Sequence, residues 1–144
     1  MARITLPYSE IPIAPSPPFP NGQVVLRPLM VALLTAANGN TFRCVAWADS
    51  GADCCVFPLS FATAMGLNPL DMRQNLTGGV GSSGNATYYD DLTIDLGEGL
   101  RFQTYAAFTS GLEAQGLGLL GQRGFFENYS VVFDHRNRQF HIDT

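Results

Sequence analysis

Charge is scarce in this chain, and long apolar runs are missing. Only 14% of its 144 residues are charged, while 46% are hydrophobic. That balance excludes the highly charged, core-poor class of disordered sequence and supplies enough apolar surface for one buried core, hence one domain. No stretch approaches the roughly 20 apolar residues that span a bilayer. After Arg3 the N-terminus runs into Pro7, Tyr8, Ser9 and Glu10 instead of the continuous apolar segment of a secretory leader. No membrane partner and a cytoplasmic location are therefore expected. Basic clusters are lacking too: the eight Lys and Arg are scattered through a chain of net charge -4. Such a chain offers no field to phosphate backbones, so nucleic acid is not an expected partner.

Metal-ligand spacing is also absent. Cys44, Cys54 and Cys55 are an odd number without the paired spacing of a zinc site, and they read as reduced, buried thiols. His135 and His141 have no cysteine or glutamate at zinc spacing, and Asp90, Asp91, Asp95 and Glu98 read as a solvated strand face. No metal and no cofactor are expected. Glycosylation triplets begin at Asn75, Asn85 and Asn128, and they matter only if the chain is secreted.

What is present is mostly strand. Pro12, Pro15, Pro17, Pro18 and Pro20 remove backbone donors, so residues 1–23 read as a proline-rich arm and residues 24–144 as the folded domain. Residues 24–36 and 41–48 are apolar and β-branched, with Ala37-Asn38-Gly39-Asn40 between them as a hairpin turn. A helix is expected over 58–65, where Pro58 suits a first turn and Gly66 a left-handed cap. Residues 76–85 are rich in glycine and serine and read as the tip of a hairpin whose return strand is 87–96. Further strands are expected over 101–109 and 117–120, then a helical turn over 124–129 and a closing hairpin of 131–134 with 139–142. No internal repeat is visible.

The sharpest local signal is Asp49-Ser50-Gly51-Ala52-Asp53, which follows the apolar strand ending in Trp47-Ala48. Alone, an Asp followed by Ser and Gly is a common strand-end turn. Here it is followed in order by the helix, the Gly-rich hairpin with Val80-Gly81-Ser82-Ser83-Gly84, and Leu117-Gly118-Leu119-Leu120-Gly121 before the closing hairpin. Over residues 28–142 this succession resembles the retropepsin family, the retroviral-type aspartic proteases, most closely its cellular and bacterial members.

The resemblance implies a mainly β, closed barrel with one or two short helices, assembled as a homodimer that takes an extended peptide as substrate. It implies Asp49 as the catalytic carboxylate, Ser50, Gly51 and Ala52 as support of the active-site loop, and Leu119, Leu120 and Gly121 as the layer under that loop. It further implies substrate-binding roles for Asp53 and for the flap residues Gly78, Gly79, Val80, Gly81 and Ser82. Ala48 departs from the larger aliphatic residue usual before the Asp, and Gly121-Gln122-Arg123 moves the arginine of the viral pattern by one residue, which leaves an Arg123 to Asp53 pairing open. Peptide hydrolysis of this kind needs two carboxylates sharing a proton. One Asp-Ser-Gly without a repeat means that the second carboxylate comes from a symmetric copy. The alternative function is a catalytically inactive dimerisation or peptide-binding module on the same fold.

Overall fold

The computed structural model describes residues 2–76 and 86–144. The chain divides into two compact units, 30–128 and a second made of 1–29 with 129–144.

In the larger unit β4 (Leu29–Ala36), β5 (Thr41–Ala48), β6 (Val56–Pro58), β7 (Arg73–Leu76), β8 (Ala86–Asp95), β9 (Arg101–Thr109) and β10 (Gly118–Leu120) form one sheet in the order β4-β5-β10-β6-β9-β8-β7. A further antiparallel pairing of β4 with β8, from Leu33↔Asp95 to Ala36↔Leu92, joins the two ends. Six strands thereby close into a barrel, and β7 stays outside the ring as the partner of β8. Closure gives each of these six strands a partner on both sides.

Alternation explains which side chains fill the barrel. Met30, Ala32, Leu34 and Ala36 of β4 are buried, as are Cys44, Ala46 and Ala48 of β5, the period of two expected of strands with one buried face. Phe57 of β6, Phe108 of β9 and Phe61 of the single described α-helix, α1 (Leu59–Ala64), meet with ring centroids 6.1 and 6.5 Å apart. Each fully buried ring contributes roughly 1.5–3 kcal/mol. The helix lies where the proline and glycine signals place it: Pro58 precedes its first turn, and Gly66 follows its end at φ +75°. The β4–β5 turn also closes that end, because the Nδ2 groups of Asn38 and Asn40 both donate to the Met65 carbonyl, at 3.0 and 2.9 Å. These bonds satisfy a carbonyl that the helix leaves open.

In the smaller unit β1 (Arg3–Pro7), β11 (Ser130–Asp134) and β12 (Gln139–Asp143) form a sheet with β12 in the middle, and β2 (Ser9–Ile13) pairs with β3 (Gln23–Arg27). Phe140 and Ile142 of β12 are fully buried, and Tyr8 stacks on Phe140 with centroids 5.7 Å apart.

Two details depart from the sequence reading. The single strand expected over 24–36 breaks at Pro28, which has no amide to continue a ladder; β3 turns to β2, and β4 goes to the barrel. The β2–β3 ladder therefore takes in Ile11 and Pro12 of the proline-rich stretch and crosses position 23/24. The helical turn expected over 124–129 is a run of hydrogen-bonded turns, with Asn128 N–H donating to the Phe125 carbonyl.

Candidate active site

Asp49 leaves the barrel at the end of β5, and its position is fixed mainly by backbone. β10 runs parallel to β5, with Leu119 opposite Trp47 and Leu120 opposite Ala48. That register lets Asp49 N–H donate to the Leu120 carbonyl at 2.9 Å. The chain then turns: Ala52 N–H donates to the Asp49 carbonyl at 3.1 Å, and Gly51 N–H to Asp49 Oδ1 at 3.0 Å. A backbone amide thus holds one carboxylate oxygen in place. Asp49 itself is half-buried, whereas Ser50 and Gly51 beside it are exposed.

The segment after β10 crosses under this turn. Gln122 N–H donates to the Ala52 carbonyl at 2.8 Å, and Arg123 N–H to the Asp53 carbonyl at 3.0 Å. The Gln122 side chain reaches back, Nε2 donating to the Ser50 carbonyl at 3.0 Å. Gly121 is buried at the crossing, where a Cβ would overlap the Cys54 carbonyl and lie 2.8 Å from the Ala52 oxygen. Only a residue without a side chain lets the two backbones approach this closely. Below, Leu120 is fully buried, and Leu119 is half-buried opposite Val56 of β6.

The structure therefore brings Asp49, Ser50, Gly51, Ala52, Leu119, Leu120 and Gly121 together in one crossing. Asp53 is exposed immediately past the turn and lines an open cleft with Gln122, Arg123 and Phe126. Arg123 meets Asp53 through its backbone amide, while its guanidinium lies 5.7 Å from the centre of the Tyr105 ring. Gly78, Gly79, Val80, Gly81 and Ser82 lie outside the described residues.

Two features escaped the sequence reading. The Gln122 brace has a faint signal, a long amide directly after the crossing glycine. The Tyr105 partner of Arg123 has none, being 18 positions away on another strand. Of the three thiols expected to be buried, Cys54 is only half-buried; burial pushes Cys44 up to about 12 and Cys55 up to about 11, so these two stay protonated near neutral pH and neither suits nucleophilic work. Among the described residues no three His, Cys, Asp or Glu side chains converge as a metal would need, and no helix is long and apolar enough to cross a membrane.

No protein-family model matches the sequence, and no curated protein does. Among solved structures the chain is similar to a retropepsin-like aspartic protease from Rickettsia conorii, with a TM-score of 0.54 and 18% identity, over 92% of this chain and 98% of that one. The fold is therefore retropepsin-like: a mainly β, closed six-stranded barrel with very few helices.

Proposed function

We propose that the chain is an aspartic endopeptidase working as a homodimer, each copy supplying its Asp49 carboxylate to one shared site. The observation that carries this reading is the placement of Asp49 in an Asp-Ser-Gly turn, its backbone tied to Leu120 and one carboxylate oxygen held by Gly51 N–H, on a retropepsin-like barrel. Amide hydrolysis by an activated water needs one ionised carboxylate to take the water's proton and one protonated carboxylate to polarise the scissile carbonyl. The water oxygen adds to the carbonyl carbon, and the tetrahedral intermediate then expels the amine, which leaves with a proton returned by the pair. One Asp49 cannot fill both roles, and the sequence holds a single Asp-Ser-Gly, so a two-fold axis supplies the other.

In this reading the exposed Ser50 hydroxyl braces the facing loop of the second copy, and Ala52 keeps the floor of the cleft narrow. Asp53 and the flap residues Gly78, Gly79, Val80, Gly81 and Ser82 pair with the main chain of an extended peptide. Leu119, Leu120 and Gly121 hold the loop from beneath. The β11 edge of the terminal sheet, where Val132 is 44% and Phe133 41% exposed, is the second surface we assign to the dimer.

The test is cleavage of a peptide library across pH by wild type and Asp49→Asn, with sedimentation velocity on the same samples. Cleavage is expected from wild-type dimers alone, with activity per chain rising with enzyme concentration. Equal cleavage by the two proteins removes Asp49 as catalyst, and silence from both at every pH leaves a non-catalytic peptide-binding module. Ser50→Ala is expected to weaken association and rate together.

A further inference from the structure

We propose that a groove lined by Arg73, Tyr89, Tyr105 and Arg123 takes an acidic side chain of the bound peptide, at a position removed from the scissile bond; this deepens, and rests on, the protease reading above.

Strand register builds the groove. Arg73 on β7 lies directly opposite Tyr89 on β8. Tyr89 in turn faces Ala107 on β9, which puts Tyr105 at the adjacent diagonal position on the same face. The two phenol rings stack with centroids 5.6 Å apart and planes 15° from parallel, and the Arg123 guanidinium lies at 5.7 Å from the Tyr105 ring. The result is a stacked tyrosine pair with the Arg123 guanidinium near one ring and Arg73 opposite the other in register, and it borders a groove of about 330 Å³ whose wall also includes Cys54. Cys54 follows Asp53, so the groove continues from the active-site loop without containing Asp49.

Charge decides what fits. All eight basic residues of this chain are arginines, and two of them border this one groove. Among the described residues no carboxylate lines it, and neither Arg73 nor Arg123 has an ion-pair partner. Residues 77–85 contain no charged side chain at all, so they bring no acid to it. Asp53 and Glu127 line a different opening, which they share with Arg123 but not with Arg73. Two arginines lining one groove beside a flat aromatic pair suit a planar carboxylate, which accepts paired N–H bonds from a guanidinium. A cation in the same place would meet two like charges.

The experiment uses fluorescein-labelled peptides of one apolar sequence in which a single Glu is walked along the chain, each with a Gln twin. Binding to Asp49→Asn protein is read by anisotropy and cleavage by wild type by kcat/KM. At one register the Glu peptide is expected to bind and be cleaved about tenfold better than its twin, as one charge-assisted contact gives. That ratio should fall as salt is raised. Arg73→Gln should bring it near one, while Arg43→Gln, an exposed arginine on β5 outside the groove, should keep it. Equal treatment of Glu and Gln at every register, or a preference indifferent to Arg73→Gln, overturns the groove. Cleavage without a Glu preference leaves the protease reading standing and the groove refuted. An Arg73-dependent Glu preference in binding with no cleavage does the reverse.

Discussion

At Gly121 two stretches of backbone lie against each other with no space for a methyl group, whereas in the smaller unit β1 and β12 are tied by side chains as well as by their ladder, Arg3 to Asp143 and Thr5 to His141, with Tyr8 stacked on Phe140 and Arg138 paired with Glu10 of β2. The crossing under Asp49 is therefore vulnerable to added atoms, and the terminal sheet to removed ones. A turn built from backbone holds the Asp49 main chain to a fixed place through changes of pH and salt, because amide-to-carbonyl bonds do not titrate. A sheet tied by exposed ion pairs responds to both.

The heaviest blow to this contrast would come from Phe140→Ala. Removing a fully buried ring is expected to cost about 3–5 kcal/mol and to raise amide exchange in β1 and β11 while the β5–β10 ladder keeps its protection. Faster exchange in β5 and β10 to the same degree would erase the distinction. Gly121→Ala tests the other side. Overpacking against two carbonyls is expected to cost about 3 kcal/mol, seen as a lower urea midpoint, with loss of any Asp49-dependent cleavage; a neutral result would mean that the crossing yields.

Gln122→Ala removes a single side-chain tie to the Ser50 carbonyl and is expected to cost about 1 kcal/mol, with cleavage more affected than the midpoint. The smallest effect is that of Arg3→Ala. The Arg3 guanidinium, by hydrogen bond and charge, holds the Asp143 carboxyl below its ordinary range. A depressed carboxylate stabilises the fold above its unfolded-state value and loses that contribution as pH falls through the folded one. Wild type should thus exceed Arg3→Ala slightly at neutral pH and match it in strong acid. Both groups are exposed, so screening keeps the gap small, and thermal melts across pH measure it.

Local signals carried much of the fold. The strand over 101–109 and the helix between Pro58 and Gly66 are written in alternation and in turn residues, which depend on near neighbours alone. Asp49 was legible for a similar reason, since Asp-Ser-Gly, the helix, the glycine-rich segment and Leu-Leu-Gly come in a fixed order. The N-terminal third was less so. Prolines suggested an arm, yet β2 finds β3 on one side of Pro28, and β1 pairs with β12 across almost the whole chain, because a strand's partner is chosen by what is left unpaired elsewhere.

By itself the sequence determined the class of fold and singled out the Asp-Ser-Gly turn at Asp49, with a second copy needed if that carboxylate works as half of a pair. Tertiary structure alone decided that Gly121 must carry no side chain, that Gln122 ties back to Ser50, and that Arg73, Tyr89, Tyr105 and Arg123 share one wall. Those outcomes depend on which strands lie side by side. Register sets them over sequence separations that no local pattern spans.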